Sequence, residues 1–224
     1  MSTRALRGVG WAGVWFLIVT VLAFIVIRLS NDVPNIADGT LPAEGEFDRR
    51  YAENPILAYL HILPGAIYLL GAPMQISRRF RSANYERHGR VGRVVLVAGL
   101  TTGVMALVVG VAMPFGGIAE TSASTSFGIY FITALVLAYR AIRSGRVTEH
   151  RRWMIRAFAI GVGVGLIRIV IGVGEAMGIG IADSFGAAFW IAFVTMAVVA
   201  EIWLRIRPDE IRLQLDEVEL GPSS

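Results

Sequence analysis

Cysteine is missing from all 224 residues, and so is lysine. Without cysteine there is no disulfide, no thiolate metal site and no cysteine nucleophile, so a bound metal or haem must rely on histidine, methionine or carboxylates. Without lysine the 21 basic charges are all arginine, a skew better explained by codon usage across a genome than by function. Histidine is scarce at three copies. There is no glycine-rich phosphate loop after a strand, no His-Glu-x-x-His helix and no serine elbow, which removes the common nucleotide, zinc-peptidase and serine-hydrolase readings.

What is present is apolar. Hydrophobic residues make up 55% of the chain and charged residues 17%, with a mean hydropathy of +0.61, outside the balance of a soluble domain. Six apolar runs, 11–29, 56–76, 94–113, 124–142, 153–174 and 184–204, are each long enough to cross about 30 Å of hydrocarbon as a helix. The runs are continuous and do not alternate, which excludes a barrel and leaves helices that satisfy their own backbone hydrogen bonds. The expected fold is all-α, a polytopic membrane bundle of six transmembrane helices. The first run is too long for a secretory signal core and lacks a prompt small-residue cleavage site, so it is read as a retained anchor.

Arginine sorts onto one side. Arg4 and Arg7, then Arg78, Arg79, Arg81, Arg87, Arg90 and Arg93, then Arg140, Arg143, Arg146, Arg151, Arg152 and Arg156 fall in segments that the positive-inside rule assigns to the cytoplasm. Segment 31–54 carries Asp32, Asp38, Glu44, Glu46, Asp48 and Glu53 against only Arg49 and Arg50, and the stretch near Glu120 has no basic residue; both belong outside. Both termini are then cytoplasmic. Nucleic acid is not an expected partner, because topology already accounts for the basic residues. One domain, 1–224, is the expected organisation, with an outer loop at 31–54 and an acidic tail at 208–224 that frays or meets a partner. A weak internal repeat relates Arg81-Ser82 and His88 to Arg143-Ser144 and His150, with Arg90 and Arg152 following.

Ionisable groups inside a span either pack against a partner or mark a site. On the second span His61, Gly65, Tyr68, Ala72 and Gln75 recur at helical spacing and form a polar or small face, with Pro64 and Pro73 able to free backbone carbonyls. On the fifth, Gly161, Gly165, Arg168, Gly172 and Glu175 share a side. Arg168 near mid-membrane costs on the order of 3 kcal/mol on insertion scales and needs a counter-charge, a water cavity or an anionic ligand. Glu175 is the nearest counter-charge by sequence. Counting inward, His61 and Arg168 reach nearly the same depth, so His61, Tyr68, Gln75, Arg168 and Glu175 form an expected polar pocket. A packing stripe held by side-chain hydrogen bonds accounts for the same spacing.

His88 and His150 lie together at the arginine-rich edge, and only this pair meets the matched-depth requirement of a bis-histidine haem. Arg90, Arg93, Arg152 and Arg156 would hold its propionates. Helix starts touching anionic headgroups account for the same residues.

At these residues the chain resembles a family of bacterial predicted membrane proteins, domain of unknown function 2306. The resemblance runs from about His61 to Arg168 through Gly65, Gly71-Ala72-Pro73-Met74-Gln75, His88 with Gly92-Arg93, Ala138-Tyr139-Arg140, and His150-Arg151-Arg152-Trp153-Met154-Ile155-Arg156. Gly89 departs from the family pattern, which usually has arginine after that histidine. The resemblance carries no activity, but it implies that the His and Arg positions belong to a recurring pattern and that the membrane is a bacterial inner (plasma) membrane.

Three functional expectations follow. The first is a membrane redox component, b-type cytochrome-like or quinone-associated, with haem b between His88 and His150. The second is a transporter or small-anion-binding protein using Arg168 and His61; the third is a non-catalytic assembly protein using the acidic tail. Expected partners are the lipid bilayer, a quinone or small anion, and a second copy of the chain as homo-oligomer.

Overall fold

A computed structural model describes residues 3–44 and 46–206, with side chains from Gly8 onward. The acidic tail lies outside the described residues. The chain folds into α1 (Thr3–Asp38), α2 (Arg49–Glu53), α3 (Pro55–Ile76), α4 (Arg78–Ala83), α5 (Tyr85–Ala112), α6 (Gly117–Arg143), α7 (Val147–Ala176) and α8 (Ile181–Ile206). Six of these, all but the short α2 and α4, are long and apolar enough to cross a membrane. They alternate in direction. One end, here the arginine end, therefore carries Arg78 to Arg93, Arg140 to Arg156 and both ends of the described chain; the other, the loop end, carries the connections α1–α3, α5–α6 and α7–α8.

The helices outrun the apolar stretches that nucleate them. Helix α1 continues past the expected loop start at Asn31, because nothing stops it before Gly39, whose φ of +65° lets the Thr40 N–H turn back to the Asn35 carbonyl at 2.9 Å. Pro34 is accommodated inside it. The extension is anchored: Asp32 accepts from Arg28 at 3.4 Å and from the Tyr59 hydroxyl at 3.0 Å. Likewise α5 and α7 begin well before their apolar runs. Asn84 caps α5 by accepting the Arg87 N–H at 2.8 Å. His88 and His150 each sit four residues past their helix cap, and each N–H reaches the cap carbonyl at 3.0 Å, so the two stand in equivalent positions.

Helix α7 is the centre of the bundle. It packs against α8, α6, α1 and α3, and 56% of its apolar window is buried against 11% for α1, which makes α1 peripheral. Small residues set the close crossings. A Cβ at Gly165 would stand 2.5 Å from the Leu17 carbonyl oxygen, so α1 and α7 meet backbone to backbone. Phe16, Val19, Val97, Val111, Val198 and Ile202 face outward, forming an apolar belt suited to lipid tails.

Candidate functional site

Between α1, α3, α5, α6, α7 and α8, toward the loop end, lies a cavity of about 570 Å³ with mostly apolar walls. Its floor is Tyr68. The ring is held between α5 and α7, where a Cβ on Gly99 or on Gly161 would come within 2.8 Å of it, and it meets Phe131 edge-on at 5.2 Å. The Tyr68 side chain is 1% exposed, and its hydroxyl has no hydrogen-bond partner among the described residues. A buried hydroxyl left unbonded costs on the order of 1–3 kcal/mol.

The Tyr68–Gly161 contact fixes the register of two antiparallel helices. Seven residues toward the loop end, two turns on each helix, lead from Tyr68 to His61 and from Gly161 to Arg168. Both line the cavity. His61 Nδ1 lies 3.0 Å from the Thr102 carbonyl oxygen, while the Thr102 hydroxyl donates to the His61 carbonyl at 2.8 Å. A carbonyl oxygen only accepts, so Nδ1 carries the proton and Nε2, on the far edge of the ring, is a bare acceptor. Gly65 makes room for this lock: a Cβ there would stand 3.0 Å from Thr102 Oγ1.

Arg168 is met by rings. Its guanidinium lies 5.4 Å from the centre of the Phe24 ring and 5.9 Å from that of Phe47, and among the described residues no carboxylate comes within ion-pair distance. Glu175, the counter-charge expected from sequence, is exposed at the cavity wall and does not pair with it.

Sequence reasoning passed over the other polar groups at this mouth. Arg28 is paired to Asp32 and Asp48 and lies over Tyr51 at 4.0 Å. Arg50 donates to the Met113 carbonyl at 2.8 Å and lies 3.9 Å from Glu120. Glu120 in turn accepts the Phe115 and Gly116 N–H groups at 2.6 and 2.7 Å. Phe47 is the hub, with Arg28, Arg50 and Arg168 at 5.2, 4.4 and 5.9 Å from its ring centre. Arg28, placed at the end of the first apolar run, was the available signal. The aromatic contacts that organise the mouth span distant segments and leave no local pattern.

Gln75 does not join His61 and Tyr68. It lies at the arginine end of α3, outside the cavity lining, with its carbonyl facing Gly92, where a Cβ would be 3.2 Å away, and its amide nitrogen buried without a partner. His88 is one turn from Gly92, and its Nδ1 is also buried and unpartnered. His150 Nδ1 is 2.9 Å from the Ala138 carbonyl, which again leaves Nε2 as the acceptor. The two histidines lie within electrostatic range of each other and of Arg81. Of the four arginines expected around them, Arg156 is bound to Glu201 of α8 at 2.6 and 3.1 Å and lies over Trp153. Arg90 pairs with Glu86 at 3.2 Å; Arg93 and Arg152 are exposed. No cluster of three or more histidines and carboxylates suited to a metal ion occurs among the described residues.

An all-helical multi-pass membrane bundle with an internal, aromatic-walled cavity is the class that fold and site define. The family model described as predicted membrane protein (DUF2306) matches residues 58–204, and the chain belongs to that family. No curated protein and no solved structure matches the chain. The matched stretch includes His61, Tyr68, Thr102 and Arg168, whereas Phe24, Arg28, Phe47 and Tyr51 of the cavity mouth precede it.

The His61 lock has a direct readout. Imidazole ¹⁵N shifts of histidine-labelled protein at neutral pH are expected to show His61 protonated on Nδ1 and bare on Nε2; the opposite tautomer would contradict the Thr102 contact.

Proposed function

We propose that the protein binds a small amphipathic molecule in this cavity, with an acceptor oxygen at its polar end: the carbonyl of a quinone or the carboxylate of a small organic anion. The observation that carries the reading is Arg168, a guanidinium in the wall of an apolar cavity with aromatic rings around it and, among the described residues, no carboxylate within ion-pair distance. A charge so placed is stabilised by a ligand oxygen, because charge-assisted hydrogen bonds are strong where water is excluded. Phe127, Phe189 and Phe193 offer an apolar wall for the body of the ligand, and the volume falls within the range of about 300–1,000 Å³ usual for small-molecule sites. Release of the ligand toward the loop end makes this a step in transport; delivery of a bound quinone to a separate electron-donating protein makes it quinone-associated.

Equilibrium binding of decanoate and of 2,3-dimethoxy-5-methyl-1,4-benzoquinone to the detergent-solubilised full chain tests the reading. At least one probe is expected to bind, and Arg168→Met to weaken it by about tenfold or more, equivalent to about 1.4 kcal/mol. Failure of both probes to bind, or affinity unchanged by the substitution, overturns it.

A second reading, a haem b held between His88 and His150, is supported by His150. Donation of Nδ1–H to the Ala138 carbonyl is the arrangement that fixes an imidazole for axial ligation through Nε2. The Nδ1 of His88 has no such partner among the described residues. The fit is incomplete, since Arg156 is already committed to Glu201 and Arg90 to Glu86, which leaves the exposed Arg93 and Arg152 of the expected four to face propionates. Haemin added to the purified chain is expected to give a Soret band that His88→Ala and His150→Ala each abolish. A wild-type chain with no such band excludes this reading.

The charge distribution supports an orientation with the arginine end in the cytoplasm of a bacterial inner membrane. Reporter fusions after Ser144 should then score as cytoplasmic and fusions after Gly178 as external, and the reverse pattern would invert the assignment.

A further inference from the structure

We infer that the cavity's ligand is two-ended, with an acceptor oxygen at each pole of a flat apolar ring, as in a quinone, and is not a single-headed anion. This rests on the binding function proposed above and narrows its substrate class. The observation behind it is the second donor, Tyr68, which a one-headed ligand anchored at Arg168 leaves unused.

The Tyr68 hydroxyl is buried and has no partner among the described residues, and Tyr68 is one of the residues that line the cavity. Its ring already fills the slot between Gly99 and Gly161, a task phenylalanine performs without burying an unbonded hydroxyl. The hydroxyl is thus the one part of Tyr68 that packing does not explain, and an acceptor from the ligand satisfies it. The backbone levels of His61 and Arg168 lie two helical turns from that of Tyr68, about 11 Å along the axis, so the two donors belong to different depths of the site.

The middle of the cavity suits the ring. Phe127 and Phe131 of α6 offer aromatic surface against which a flat ring stacks. His61 adds an acceptor, its bare Nε2, at the same level as Arg168, so the hydroxyl of a reduced ring also finds a partner. An aliphatic carboxylate engages only the Arg168 pole.

The test uses the full chain in detergent with the same two probes, the substituted benzoquinone and decanoate. Tyr68→Phe is expected to weaken the quinone about fivefold or more while leaving decanoate unchanged, whereas Arg168→Met weakens whichever probe binds. A second measurement needs no variant: the infrared carbonyl bands of ¹³C-labelled quinone should both move to lower frequency on binding to the wild-type protein. One shifted band, or a Tyr68→Phe variant that folds and binds quinone as wild type does, overturns the two-ended ligand. Decanoate binding that depends on Arg168, with no quinone binding, removes this inference and leaves the binding function standing. If neither probe binds, both fall.

Discussion

A guanidinium cannot sit in an apolar wall without something to face, and the architecture of the loop-end half follows from how Arg168 is met. Among the described residues it is met by rings, with no carboxylate at ion-pair distance. Phe24 comes from the apolar run of α1 itself and Phe47 from the segment that follows the helix, so two separate parts of the chain bring rings to the charge. Cation–π contact is worth about 2 kcal/mol when desolvated, comparable to the insertion cost of an arginine on translocon scales. It holds the cation without neutralising it.

The same economy appears at the other cations of the mouth. Arg28 and Arg50 have both carboxylates and rings, and Phe47 serves all three guanidiniums. Glu120 is held by two backbone N–H groups in the α5–α6 turn, so it is oriented by the fold and not by the arginine it stands near. At the opposite end the pattern changes: Arg156 and Glu201 tie α7 to α8 directly, and the histidines hold or await partners through single ring nitrogens.

Much of this could be read from the chain alone. Long uninterrupted apolar runs specify helices in lipid, and arginine asymmetry orders them, so six spans and their alternation followed from composition. The matched depth of His61 and Arg168 was legible because helical rise converts residue number directly into height. Height is not azimuth, however. Gln75 shares a face of α3 with Tyr68 on paper but lies two turns nearer the arginine end, outside the cavity. Glu175 shares a face with Arg168 but opens to solvent. Helix ends were misjudged because apolar content ends with the hydrocarbon, whereas a helix ends where a residue such as Gly39 or a cap such as Asn84 terminates or starts it. The Phe47 hub was invisible, since its contacts join segments tens of residues apart.

The clamp on Tyr68 fastens the middle of the bundle in a different way from its rim. An aromatic plate wedged between two bare backbones acts as a fixed shim: α5 and α7 cannot slide or separate there without ejecting it. The rim above is fastened instead by side-chain ties, Arg28 to Asp48 and Arg50 to the Met113 carbonyl. Chamber depth is therefore set by a ring against backbone, and the width of the entrance by side chains alone.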